Sequence, residues 1–376
     1  MAHSYSSGLK LKEYYTIRKT RRLPLPGKVL VNIGDKVSYD TEVARTEMPG
    51  MTNVVHISSI LKVNQSRIEK YMLKKVGDAV WKGEIIARRR GFFGLINYTC
   101  ESPTTGTIEQ PPDWLSPGVV VIREPPIPRG IYSYVPGNVV EVLPEEGVII
   151  ETVGAFIQGI FGVGGETQGE ISMMADSPGD VLTSDMIRDN CRGKILVSGP
   201  IVEGKTLDRA VEIGVKGIIT GGVKYRDITN FLGYEIGVAI TGQEEKNLTL
   251  ILTEGFGRMK MADKTFELLK KLEGRLACIN GATQIRAGVI RPEIIIPMEL
   301  KGKEIEKGKL LMEELRPGLL IRIIEPPYFG ALGRVTNLPV VRQKIETESD
   351  VRVIEAELED GRKIVVPKAN VELIEE

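Results

Sequence analysis

The chain has 376 residues, 42% hydrophobic and 27% charged, with 50 Lys and Arg balancing 50 Asp and Glu. That length predicts several domains, each with its own core, and the zero formal net charge excludes whole-molecule steering toward nucleic acid or an anionic membrane. Two histidines, His3 and His56, and three cysteines without CxxC spacing, Cys100, Cys191 and Cys278, give no zinc site, histidine triad or disulfide framework.

The polar start of the chain lacks a secretory apolar region. The longest apolar stretch, from Val148, is interrupted by Glu151 and Gln158 and falls short of the ~20 residues a membrane span needs. A soluble, cytoplasmic protein without membrane insertion is the expectation. Residues 1–26 carry Arg18, Lys19, Arg21 and Arg22, which predict a basic arm leading into the first strand or a docking patch for an acidic partner or RNA.

From Gly27 to Val37 and on through Glu42-Val43-Ala44-Arg45, apolar and polar residues alternate around Gly34-Asp35, a hairpin signature. It returns at Val76-Gly77-Asp78-Ala79-Val80 through Ile85-Ile86-Ala87. Ser102-Pro103-Thr104-Thr105-Gly106-Thr107-Ile108 supplies a closing strand. Between the hairpins, the spacing of Leu61, Ile68 and Met72 predicts a short helical insert over 58–73.

These hairpins resemble the lipoyl/biotinyl-type barrel-sandwich hybrid, of the kind found in the Rnf-type electron-transport C subunit and in bacterial RNA polymerase. The resemblance implies such a β domain over 27–128. In biotinyl carriers a modified lysine follows the Gly-Asp turn. Here those places hold Glu47-Met48-Pro49-Gly50 and Arg88-Arg89-Arg90-Gly91, so no biotin or lipoate is expected, and no cofactor at all.

Residues 129–193 predict a β-rich, glycine-containing connector domain. Its run through Gly164 and Gly165 could form an anion-binding nest of backbone N–H groups, although it lacks the Lys and Ser/Thr of a P-loop. Structural glycines are the other reading.

Residues 194–297 alternate strand and helix, which predicts a small α/β domain with a largely parallel sheet. Helices are expected at 206–213, 225–232 and 262–272, and strands at 194–197, 215–219, 237–240, 248–252 and 276–280. Ligands of such sheets sit at strand ends. The candidates there are Thr220, Gly221, Gly222, Thr241, Gly242, Thr253, Glu254, Asn280, Thr283, Gln284, Arg286 and Arg291. Glu244 and Glu254 would form an acid/base pair if held close, and Arg286 and Arg291 could clamp an anion.

At the carboxyl end, Arg316 to Ile324 and Tyr328 to Val335 resemble a KOW motif, the SH3-like barrel of ribosomal and transcription-elongation proteins, which implies such a barrel over 298–376. In that family the barrel often contacts RNA or protein. Its acidic balance here favours protein, and Tyr328 and Phe329 are the partner-binding candidates.

The chain is thus expected to be a multidomain α+β protein: a barrel-sandwich hybrid, a small α/β domain and a KOW barrel. The leading functional expectation is a non-catalytic accessory or scaffold protein with a protein partner in a larger assembly. One alternative is a binder of a small anionic metabolite or nucleotide, or an enzyme, using the glycine-rich strand ends. Another is an RNA- or transcription/translation-associated factor.

Overall fold

The computed structural model of the chain describes residues 10–91, 96–109, 118–234, 244, 246–284, 290–299, 316–323, 328, 331–339, 343–344, 350–358 and 360–373. The candidates Thr241, Gly242, Arg286 and Phe329 and the strand expected at 237–240 lie outside the described residues.

The basic segment expected as an arm is a strand, β1 (Leu11–Arg22), which pairs antiparallel with a strand far along the chain, residues 147–157. It is followed by β2 (Lys28–Val29), β3 (Lys36–Val37), β4 (Glu42–Met48) and β5 (Thr52–Val55). A short helix α1 (Ile57–Leu61) and a 3₁₀ turn (Gln65–Tyr71) occupy the expected helical insert. Asn64 caps that turn by accepting the Ser66 N–H at 3.1 Å. Then come β6 (Ala79–Val80), β7 (Ile85–Gly91), β8 (Ile96–Glu101), β9 (Gly106–Glu109), β10 (Val120–Arg123), β11 (Ile127–Tyr132) and β12 (Gly137–Leu143).

The two Gly-Asp segments do not close hairpins on themselves. β2 pairs with β4 and β3 with β12, while β6 pairs with β9 and β7 with β8. What the segments share is a turn built for distant partners. Gly34 and Gly77 adopt φ of 92° and 93°, a left-handed region that only glycine enters without strain. In each turn the aspartate accepts the N–H three residues back, Asn32 to Asp35 and Lys75 to Asp78, both at 2.7 Å. The glycine N–H donates across the module at 2.8 Å, to the carbonyl of Val139 or of Ile108.

The likeness extends through both segments. The Leu30 N–H donates to Val43 and the Leu73 N–H to Ile86. β4/β11 and β7/β8 carry a register shift at the same place. Ser133 and Ser102 each donate to the carbonyl two residues on. The molecule therefore contains one unit twice, and the second copy lies between β4 and β11 of the first. The β5/β10 pair borders this insertion, and Ile57, Leu61, Ile86, Cys100 and Ile122 fill its core.

β13 (Gly147–Gln158) joins the first copy to the centre of the molecule: β1 runs along one edge, and β12 pairs with the start of the other edge. Next follow β14 (Phe161–Val163), β15 (Glu166–Met173), β16 (Ile195–Val197), α2 (Gly204–Ile213), β17 (Gly217–Val223), α3 (Tyr225–Leu232), β18 (Thr249–Phe256), α4 (Asp263–Lys271), β19 (Leu276–Asn280) and β20 (Glu293–Pro297). One sheet takes them in the order β14-β18-β17-β16-β15-β19-β20-β13-β12-β3. The connector boundary expected at 193/194 therefore cuts through a continuous sheet, because β15 pairs directly with β16 and β19.

Only β15 to β18 are mutually parallel; β14, β19, β20 and β13 are antiparallel to their neighbours. Helices α2 and α3 bury Leu207, Ala210, Ile213, Ile228, Phe231 and Leu232 on one face of the sheet, and Phe266 and Leu269 of α4 pack into a second core with Ala277 and Ile294. These residues recur at helical spacing. Gly214 (φ 84°) and Gly233 (φ 83°) terminate α2 and α3 as left-handed caps.

The carboxyl-terminal part holds β21 (Leu320–Ile323), β22 (Leu332–Asn337), β23 (Gln343–Lys344), β24 (Asp350–Val351), β25 (Val353–Leu358), β26 (Lys363–Pro367) and β27 (Val371–Leu373). Five of them form an antiparallel sheet, β26-β25-β22-β21-β27, around Ile321, Val335, Ile354 and Val366.

Candidate functional site

The strand-end candidates fall into two groups on opposite rims of the central sheet. Thr220, Gly221, Gly222, Thr253 and Glu254 lie at the carboxyl ends of β17 and β18. Gly164, Gly165 and Glu244 lie at the amino ends, with Leu248 and Thr249. Asn280, Thr283, Gln284 and Arg291 join this second group because β19 runs antiparallel to β15 and pairs Asn280 with Glu166. The antiparallel direction of β19 is what divides a rim expected to be continuous.

Glu244 and Glu254 are separated accordingly. Thr249 and Glu254 are five residue steps apart along β18, about 17 Å of extended chain, so the two carboxylates do not form an acid/base pair.

At the carboxyl rim the polar groups hold the chain to itself. The Thr220 hydroxyl, fully buried, donates to the Gly199 carbonyl at 3.1 Å, and the Gly221 N–H donates to the same carbonyl at 2.8 Å. A Cβ on Gly221 would lie 1.9 Å from the Met259 carbonyl oxygen, and one on Gly222 would lie 2.2 Å from that of Gly257. The glycine pair is thus explained by backbone approach alone. Glu254 accepts the Ala262 N–H at 3.0 Å at the start of α4, where the helix dipole favours an anion. Its other oxygen accepts from Nη2 of Arg322, a β21 side chain that is 3% exposed. A buried ion pair therefore ties the carboxyl-terminal sheet to the central one.

The amino rim is closed in the same way. Glu244 accepts the Gly164 N–H at 2.8 Å, so the glycine nest is filled by a carboxylate of the same chain. Its second oxygen accepts the Tyr234 hydroxyl at 2.9 Å, and burial together with that hydrogen bond pushes the phenol up to about 12. The Thr249 hydroxyl donates to the Gly165 carbonyl at 2.9 Å. Thr283 accepts the Gly162 N–H at 2.9 Å, and Asn280 accepts the Ala282 N–H at 2.9 Å. Gln284 donates its N–H to Ile290 at 3.0 Å. Arg291 is partly buried just before β20.

The basic residues of β1 are likewise engaged: Arg18 with Glu151 at 2.8 Å, Lys19 with Glu293, Arg21 with Glu166 at 2.6 Å and Arg22 with Glu146 at 3.6 Å. Beneath them Tyr134 is buried, and burial followed by the nearby Glu293 and Glu166 carboxylates holds its phenol well above the usual range. Tyr328 is partly buried and packs against the core of the carboxyl-terminal sheet, with the Arg362 guanidinium 5.7 Å from its ring centre.

One cleft not anticipated from the sequence, about 480 Å³, opens where α2 and α3 begin. Glu203, Lys205, Asp208, Lys224, Asp227 and Asn230 line it, and neither helix start has a side-chain cap. Three carboxylates against two ammonium groups make it a poor receptor for an anion. Among the described residues no group of three or more His, Cys, Asp or Glu side chains is placed to hold a metal ion, and no helix is long and apolar enough to cross a membrane.

Arg322 escaped the sequence reading because its partner is far away in the chain. The cleft escaped it because its lining residues are ordinary helix-start polar residues. The chain matches no protein-family model and no curated protein sequence.

Proposed function

We propose that the chain is a non-catalytic, modular accessory or scaffold protein that docks onto a larger assembly. The observation that carries this reading is the use of the strand-end polar groups: Glu244, Glu254, Thr220 and Thr283 all bond the chain's own loops. Of the sixteen large hydrophobic side chains exposed among the described residues, eleven lie between Leu25 and Tyr132, which supports docking through the duplicated units. The copies expose equivalent side chains: Ile33 and Val76 are 66% and 57% exposed, each just before its Gly-Asp turn.

Gentle isolation from its own cells followed by native mass spectrometry tests this. A stoichiometric protein partner is expected, and Ile33→Ser with Val76→Ser should lower its recovery at least several-fold. A chain recovered alone, or a partner retained equally by that variant, counts against the reading. A second reading, a small zwitterionic ligand in the cleft at α2 and α3, is favoured by the cleft's mixed charge. It predicts a thermal shift with such ligands that Asp227→Asn removes.

A further inference from the structure

Basic residues are distributed unevenly with respect to their partners. In β1 every one of the clustered cations is neutralised by a carboxylate. The inserted unit is different. Residues 61–100 hold nine Lys and Arg against three Asp and Glu. Of these cations only Lys74 forms an ion pair with another described residue, Glu84 at 2.6 Å, which braces the Gly77-Asp78 turn. Lys62, Arg67 and Lys70 around the 3₁₀ turn, Lys75 beside the Gly77-Asp78 turn, Lys82 on the turn after β6, and Arg88 and Arg90 on β7 are all exposed.

The β7/β8 ribbon organises part of this charge. The register places Arg88 beside Thr99 and Arg90 beside Asn97, and all four are exposed. Strand alternation puts them on one face. Among the described residues that face carries guanidinium, amide and hydroxyl groups, with the exposed Glu101 carboxylate at the end of β8 away from Asn97, and no exposed apolar side chain, which suits phosphates and base edges and not lipid chains. The residues between them face the other way: Arg89 donates to the carbonyls of Leu61 and Lys62, and the Tyr98 ring lies under both Arg89 and Lys62, at 5.3 and 5.7 Å. This anchors the ribbon against α1. Close by in sequence, Trp81 is 69% exposed, an indole with a free face for stacking.

We infer that the inserted unit binds a single strand of nucleic acid, with Arg88, Arg90, Lys75 and Lys82 on the phosphates and Trp81 stacked on a base. This is independent of the docking proposed above, which uses the aliphatic surface of both copies. The test is fluorescence anisotropy of the whole chain with a labelled 20-nucleotide single-stranded RNA and a labelled 20-base-pair duplex DNA, and flotation with vesicles containing phosphatidylserine.

Four to seven phosphate contacts give a log–log salt slope of about −3 to −5 for a single strand. Arg88→Gln with Arg90→Gln should flatten that slope by about 1.4, and Trp81→Ala should weaken binding about fivefold or more. Arg18→Gln, in the neutralised β1 cluster, should leave binding unchanged. All these side chains are exposed, and circular dichroism checks that the variants fold. Preference for the duplex or the vesicles, a salt-independent signal, no binding at 50 mM salt (a concentration at which counterion release strongly favours complexes, roughly), or a slope untouched in the double arginine variant each overturns the inference.

Discussion

The Glu254–Arg322 pair makes an asymmetric prediction about how the carboxyl-terminal sheet is held. Arg322 is 3% exposed and Glu254 is 13% exposed at the side chain. In Glu254→Gln the guanidinium stays buried without a carboxylate, and its Nε already lacks a partner among the described residues. Uncompensated buried charges of this kind cost about 3–5 kcal/mol. In Arg322→Met the surviving carboxylate keeps the Ala262 N–H and the favourable start of α4, so the loss should be smaller, about 1–3 kcal/mol. The double variant leaves neither charge and should recover part of the Glu254→Gln loss.

Because the two sheets need not unfold together, the assay is a urea titration read by pulse proteolysis with mass spectrometry of the fragments. The carboxyl-terminal sheet should become cleavable at lower urea in Glu254→Gln than in Arg322→Met. Equal effects of the two single variants, or a double variant as weak as the sum of both, would refute the reasoning.

Other outcomes follow from the same contacts. Gly221→Ala drives a methyl into the Met259 carbonyl and should cost about 2 kcal/mol or more, whereas Gly257→Ala meets no atom and is strained only by its φ of 102°; thermal melts compare them. Asp35→Ala and Asp78→Ala each remove an equivalent turn hydrogen bond and should each cost about 1 kcal/mol, measured by denaturant titration. Burial, then Glu166, pushes the Cys278 thiol from 9.0 up to about 12. The neutral thiol is favoured in the fold, so this contribution is intact below pH 9.0 and is lost as pH rises toward about 12. Melting temperature should fall across that window, and Cys278→Ala should lessen the fall.

Local periodicity made several elements legible. Helix α3 spans Tyr225–Leu232 and β19 spans Leu276–Asn280, as the apolar spacing predicts, since each sequence segment contains both its buried stripe and its terminating residue. What was not legible depends on partners distant in sequence. The charges of β1 look like a solvated arm until Glu151, Glu293, Glu166 and Glu146 are placed opposite them. Likewise, a strand's sequence does not state its direction, and the antiparallel course of β19 sends Asn280 and Thr283 to the rim opposite Glu254. The repeated Gly-Asp signal is visible in the sequence, as is the closing strand β9 that answers its second copy, but the pairing of the first copy with β12 is not.

The placement of one copy inside the other makes the molecule divisible. Met48 and Ile127 are paired neighbours on β4 and β11, although the whole inserted copy runs between them. A chain cut after Met48 and rejoined at Ile127 by a tight turn would keep every strand of the central sheet and release the loop-closure entropy of the insertion, about 2–3 kcal/mol. The excised piece would carry its own core and its own closing pair, β5 with β10. The insertion is thus a cassette, attached at two adjacent points and removable without redesigning its host.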